Sequence, residues 1–236
     1  MIISHRHKFI FIKTRKTAGT SLEIALGDYC GSKDIVTRIS LKDEKVRRKM
    51  GKKGAQNYRL PFQRYSLSDW KKLMTKGRFK SFENHDPADK ILEFIPKAEW
   101  DEYFKFCFER NPWDKMVSHY YWKKDVYNLQ NFQEYLDRGM NGEITGFNET
   151  LNTRDQYSLD GKVAVDKIYK FEELDDALLD ISERLKLNPR LEMPKYKAKG
   201  AHRQENRHYR DLLNQSQADW IAEKFSPEIQ LLNYSY

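Results

Sequence analysis

Cysteine is nearly absent from this 236-residue chain, which has only Cys30 and Cys107. The two stand far apart within apolar patterns. That excludes a disulfide framework or a cysteine-held metal and predicts buried thiols in a reducing compartment. Long apolar runs are missing too. Ile2, Ile3 and the run Phe9 to Ile12 are too short and too broken by charge for a transmembrane span or a signal peptide. No Asp, Glu or His residues cluster at metal-ligand spacing, so no metal is expected. The Gly-x-x-x-x-Gly-Lys-Ser/Thr loop that cradles nucleoside triphosphates is absent. No internal repeat or low-complexity segment occurs.

Charge is plentiful. Forty-three Lys and Arg stand against 35 Asp and Glu, leaving +8. Such an excess fits an anionic partner: a nucleotide, an acidic glycan or a nucleic acid. The length allows one large domain, read here as residues 1–236. The patterns predict strands at 8–13, 34–39, 103–109 and 165–170, and helices at 19–30, 66–76, 86–94, 112–125 and 130–138. A further helix puts Leu174, Leu178, Ile181 and Leu185 on one face. Tail helices are expected to open at Ser216, with Asp219 three later, and at Ser226-Pro227. A very basic stretch runs from Lys42 to Arg64, and a short extended piece spans Phe79 to Phe82. Alternating strands and helices imply a parallel sheet with ligands beyond the strand C-termini.

Two strand ends carry the chemistry. The first strand, Phe9 to Ile12, stops at Lys13-Thr14-Arg15-Lys16-Thr17-Ala18-Gly19-Thr20-Ser21 and opens into a helix. Free N–H groups of a first helical turn, the helix dipole, the hydroxyls of Thr17, Thr20 and Ser21 and the charges of Lys13, Arg15 and Lys16 make an anion trap. At the second, Tyr103 to Phe108 runs into Glu109-Arg110-Asn111-Pro112-Trp113-Asp114-Lys115-Met116-Val117-Ser118. Asn111 is a good N-cap and Pro112 suits the first helical position. Arg110 and Ser118 supply a guanidinium fork and a hydroxyl, which a phosphate monoester requires. The plain alternative is a capped helix with an incidental Arg and Ser.

Lys16-Thr17-Ala18-Gly19-Thr20-Ser21 resembles the 5′-phosphosulfate loop of sulfotransferases that use 3′-phosphoadenosine-5′-phosphosulfate (PAPS), the carbohydrate branch above all. Arg15 replaces that branch's usual proline. Arg110 to Ser118 resembles the family's 3′-phosphate site. Val165 to Leu185, with Phe171-Glu172-Glu173-Leu174, is similar to a later strand and helix of the family. The resemblance implies an α/β fold: a P-loop-like three-layer sandwich with a central parallel sheet flanked by helices. It also implies a sulfuryl transfer from PAPS to an acceptor hydroxyl, that of a carbohydrate, leaving adenosine 3′,5′-bisphosphate.

By position in the motif, Lys16 touches the bridging oxygen, and Thr17, Ala18, Gly19, Thr20 and Ser21 hold the phosphosulfate. Lys13 replaces Lys16 if the turn is tighter. His85, in Ser81-Phe82-Glu83-Asn84-His85-Asp86-Pro87-Ala88, is the candidate base, with Asp86 or Glu83 to orient it; a solvated or N-capping histidine is the alternative. His119 packs or touches the nucleotide, while His5 and His7 read as surface residues and His202 and His208 sit in a charged tail. Lys199 and Arg203 correspond loosely to a loop that closes over the donor; a solvated basic run is the other reading. Residues 40–80 and 140–160 match nothing in the family and are expected as acceptor-side insertions. The basic stretch at 42–64 either guides an anionic acceptor or is a surface segment.

The chain is expected to be cytoplasmic, with no nucleic-acid partner and no membrane span. Its oligomeric state and acceptor are not readable. A nucleotide-dependent kinase of related fold lacks its loop here. A basic nucleic-acid-binding protein is disfavoured because most aromatics fall at core positions.

Overall fold

A computed structural model describes residues 1–194 and 208–236. The chain begins with β1 (Ile2–Ser4), β2 (Phe9–Phe11), α1 (Gly19–Gly27), β3 (Ile35–Val36) and α2 (Leu41–Lys49). Then come α3 (Leu67–Lys76), α4 (Ala88–Phe94), α5 (Lys97–Glu102), β4 (Phe104–Glu109) and α6 (Pro112–Tyr127). The second half holds α7 (Phe132–Met140), α8 (Phe147–Leu151), a small hairpin of β5 (Ser158–Leu159) and β6 (Lys162–Val163), β7 (Lys167–Lys170), α9 (Leu174–Arg184), α10 (Gln215–Lys224) and α11 (Ser226–Leu232).

The central sheet has the order β3-β1-β2-β4-β7. β2, β4 and β7 are parallel neighbours, with Phe11 opposite Phe106 and Phe108 opposite Tyr169. The sheet is mixed rather than wholly parallel, because β1 runs antiparallel to β2 and β3. Only residues 5–8 join β1 to β2, too few for a crossover, so the two must form a hairpin.

Alternation along the strands sorts the core. Phe9, Phe11, Phe106, Phe108 and Tyr169 meet Leu22 and Leu26 of α1 and Leu178 and Ile181 of α9 on one face. Ile3, Ile10, Ile12 and Cys107 meet Ile91 and Trp100 on the other. A third cluster joins Trp113, Met116 and Tyr120 of α6 to Phe132, Tyr135, Phe147, Ile221 and Phe225. Cys30 and Cys107 are buried free thiols.

Where the sequence reads only as basic, a helix forms: Ser40 caps α2 through the Asp43 N–H (3.1 Å), and Arg47, Arg48 and Lys49 end it, suiting the helix dipole. The α10 cap is two residues earlier than expected. Asn214 and Gln217 form a reciprocal capping box in place of Ser216 and Asp219. No helix among the described residues is long and apolar enough to cross a membrane.

Phe106 lies at the centre of the sheet face, with ring contacts to Phe9, Phe11, Phe104 and Tyr169 at 5.4–5.9 Å. Phe106→Ala is expected to cost about 3–5 kcal/mol in denaturant unfolding; a loss below about 1 kcal/mol would contradict this packing.

Candidate active site

The β2–α1 loop starts where the sheet stops. Ile12 N–H donates to the Phe106 carbonyl (3.0 Å), and the Thr14 hydroxyl donates to the Phe108 carbonyl, so the loop leaves in step with β4. Lys16 and Ala18 both take the left-handed conformation, with φ of 64° and 54°. Side chains with a Cβ rarely adopt it, and two such residues in three mark a loop held by its surroundings. The first ladder bonds in α1 run from Ser21 and Leu22 N–H to the Ala18 carbonyl (2.9 and 3.1 Å). The N–H groups of Ala18, Gly19 and Thr20 precede that ladder and are available to an anion. The Thr17 hydroxyl is turned to Thr14 (3.0 Å) and serves the loop itself. Those of Thr20 and Ser21 make no hydrogen bond within the described residues.

Lys13 departs from expectation. Its ammonium is buried and bonded to Glu23 Oε2 (2.9 Å) and Asn84 Oδ1 (2.7 Å). Its stem lies across Gly19, where an added Cβ would be 2.7 Å from Lys13 Cγ. Only glycine fits beneath that stem. Glu23, wholly buried, also faces the Met1 amino group (3.2 Å) and Arg47 (3.7 Å), and accepts from the Thr37 hydroxyl (3.0 Å). Burial alone would raise its carboxyl, but Lys13 and the other cations outweigh burial and hold it below the usual range.

Arg110, at the end of β4, leans back across the gap. Its Nη1 donates to the Lys16 carbonyl (3.0 Å) and the Ser118 hydroxyl (3.3 Å). Asp114 holds the other edge of the guanidinium (2.8 and 2.5 Å), and Phe171 lies under its plane, 4.7 Å from ring centre to Cζ. The two sequence motifs therefore meet in space. Lys16 Nζ lies 4.9 Å from the centre of the Trp122 ring, against which Lys123 is also set (4.0 Å). Arg15 stands 3.9 Å from Glu149, and its Nε is buried without a hydrogen bond. Gly146, at φ 81°, lets α8 approach: an added Cβ would lie 3.4 Å from His119 Nε2 and 3.5 Å from Arg15 Nη1.

His85 reaches the same loop from before α4. Its Nδ1 is 2.7 Å from the Lys13 carbonyl. A carbonyl can only accept, so Nδ1 carries the proton and Nε2 keeps a basic lone pair. Neither expected carboxylate orients it. Asp86 pairs with Lys90 (2.6 Å) and accepts from the Glu83 N–H (2.7 Å). Burial, then the charge of Lys13, pushes the imidazole from 6.5 down to about 3. Gln156 donates to the His85 carbonyl (3.3 Å). His119 is buried, with Nδ1 2.8 Å from the Tyr135 hydroxyl.

The loop, Arg110, Ser118 and His85 are thus brought together, while Lys199 and Arg203 lie outside the described residues. Glu23, Asn84, Asp114, Trp122 and Gly146 were not foreseen as site residues. Glu23 alone had a signal, as a carboxylate between the apolar Leu22 and Ile24. No cluster of three or more His, Cys, Asp or Glu among the described residues is placed to hold a metal.

Removing one member of a buried pair strands the other. Glu23→Gln is therefore expected to lower unfolding free energy by about 3–5 kcal/mol. Because the folded carboxyl has a depressed pKa, the wild-type advantage is full above pH 4.5 and fades as pH falls through the folded value. Urea unfolding of both proteins across acidic pH checks this; a variant as stable as wild type at pH 7 would refute the pairing.

Among solved structures, a mouse sulfotransferase, SULT7A1, complexed with PAP is 14% identical, with a TM-score of 0.46, over 96% of this chain and 85% of its own. A retinol dehydratase in complex with androsterone and inactive cofactor PAP is also 14% identical, with a TM-score of 0.44, over 99% of this chain and 84% of its own. An uncharacterized protein from Archaeoglobus fulgidus is 31% identical over 109 residues, 45% of this chain and 88% of that protein. The profile of the sulfotransferase family matches residues 1–235, and the chain belongs to that family.

Proposed function

We propose that the protein transfers the sulfuryl group of PAPS to a carbohydrate hydroxyl, with His85 as general base. The observation that carries this reading is the bond from Arg110 to the Lys16 carbonyl (3.0 Å), with Ser118 beside it. It sets a phosphate fork next to a helix N-terminus, as a nucleotide with phosphates at both ends requires. The buried, unbonded Nε of Arg15 and the unladdered N–H groups of Ala18 to Thr20 supply donors of the right sign.

In this reading, Ala18 to Ser21 bind the 5′-phosphosulfate and Arg110 with Ser118 binds the 3′-phosphate. His85 Nε2 takes the acceptor proton as its oxygen bonds to sulfur. The sulfur–oxygen bond to the 5′-phosphate breaks, its electron pair stays on the phosphate, and Lys16 with the loop N–H groups receives that charge. Residues 140–160 belong to the acceptor side, since Glu149 meets Arg15 and Gln156 meets His85.

Adenosine 3′,5′-bisphosphate is expected to raise the melting temperature well beyond the shift from ATP with Mg²⁺, and Arg110→Ala to lose most of that gain. Equal shifts from both nucleotides would contradict the donor assignment. His85→Ala is expected to slow turnover on the order of 100-fold or more while leaving bisphosphate binding intact. Because the lowered pKa keeps His85 neutral until pH falls toward about 3, the acid limb of kcat/KM lies well below 6.5. An acid limb at 6.5, or unchanged turnover in His85→Ala, would remove His85 as the base.

A further inference from the structure

None of residues 61–81 is buried, yet the segment is tightly specified. Its two ends are tied together: Leu60 N–H donates to the Lys80 carbonyl (3.0 Å), and Arg59 bridges to Ser81. Between them stands α3, with Ser66 and Asp69 in a reciprocal capping box and Gly77 closing the last turn at φ 60°. The Tyr65 hydroxyl accepts from the Lys80 N–H (2.9 Å). Phe62, Tyr65 and Trp70 pack on one another, with ring centres 5.3–5.4 Å apart.

This frame holds apolar side chains outward. Leu67, Trp70 and Met74 recur at helical spacing and share one side of α3, and Phe62 stacks on Trp70. Leu67 is 90% exposed and Met74 81%, and Phe62 and Trp70 are exposed beside them. An apolar stripe of this period ordinarily faces a core. Here it faces solvent, and a contiguous exposed patch of this kind marks an interaction surface.

The surrounding charge selects the partner. Residues 58–80 hold seven Lys and Arg against a single acidic residue, Asp69. Asp69 is already engaged, by the Ser66 cap and by Lys80 (3.1 Å). Arg64, Lys71, Lys72 and Lys76 are exposed and make no ion pair among the described residues. A second copy of the chain would set two such basic segments face to face, where like charges repel. Apolar side chains that project this far suit a deformable apolar phase, and lysine stems beside them reach to negative headgroups.

We propose that α3, with Phe62, is a docking surface for an anionic lipid bilayer. Leu67, Trp70 and Met74 enter the boundary between headgroups and acyl chains, while Arg64, Lys71, Lys72 and Lys76 meet lipid phosphates and carboxylates. The helix lies in the interface and does not span it. The docking uses neither the nucleotide nor His85, so it stands apart from the sulfuryl-transfer reading.

Co-sedimentation of the nucleotide-free full chain with vesicles of phosphatidylcholine alone, or mixed with phosphatidylserine, tests it. The mixed vesicles are expected to bind about 10-fold or more tighter, because each cation near such a surface adds to the attraction. Leu67→Ser/Met74→Ser leaves charge untouched and is expected to abolish binding while keeping the wild-type melting temperature. Lys71→Gln/Lys72→Gln is expected to lose most of the preference for mixed vesicles, whereas Arg48→Gln/Lys49→Gln, which takes the same charge from α2, keeps it. No binding to the mixed vesicles would overturn the proposal. So would binding that survives Leu67→Ser/Met74→Ser or falls equally in both glutamine variants. A dimer in sedimentation velocity that Leu67→Ser/Met74→Ser dissociates, in a protein that ignores the vesicles, would assign the face to a second copy instead.

Discussion

The site depends on one hydrogen bond, from the Arg110 guanidinium to the carbonyl of Lys16. It is possible because β2 and β4 are adjacent parallel strands, and parallel neighbours deliver their C-terminal ends side by side, about 4.8 Å apart. The register of Phe11 with Phe106 continues into the bond from Ile12 to Phe106 and that from Thr14 to Phe108. The sheet therefore sets the spacing of the two strand-end motifs, and the hydrogen bond links them. Asp114 and Phe171 fix the guanidinium, and its Nη1 reaches both the Lys16 carbonyl and the Ser118 hydroxyl.

Beneath the loop, the Lys13–Glu23 pair is a positioning device. A buried ion pair is weak evidence for net stability, because desolvating two charges offsets most of their attraction. Its value here is geometric. The Lys13 stem covers Gly19 at the start of α1, its head is tied to Glu23 one helical turn on, and its carbonyl sets the tautomer of His85. One residue thus couples the turn at the start of α1 to His85.

Much of this was legible in the sequence. Both strand-to-helix junctions, the Asn111 cap, the Val165–Leu185 unit and the closeness of Arg110 to Ser118 follow from local pattern, since turns, caps and apolar periodicity are written in neighbouring residues. Long-range pairing was not. That Lys13 turns inward depends on Glu23 being buried, which in turn depends on α1 being covered along its whole length. The direction of β1 followed from the length of a connection, not from Ile2 and Ile3 themselves. The α2 helix escaped notice because only Asp43 and Arg47 are buried, leaving no apolar stripe. Sequence proximity points to Asp86 or Glu83 as the group that orients His85, whereas the Lys13 carbonyl, 72 residues away, does so.

Charge is unevenly spread along the chain: residues 40–80 hold fourteen Lys and Arg against three Asp and Glu. Some of these cations are paired, Arg47 with Glu23, Lys52 with Asp28 and Lys80 with Asp69. The central claim is that one nucleotide spans the two strand ends, and a crystal structure with adenosine 3′,5′-bisphosphate measures it directly. The account predicts the 5′-phosphate on the N–H groups of Ala18 to Thr20 and the hydroxyls of Thr20 and Ser21, and the 3′-phosphate on Arg110 and Ser118. A nucleotide bound elsewhere, or with one phosphate left in solvent away from Arg110, would contradict it.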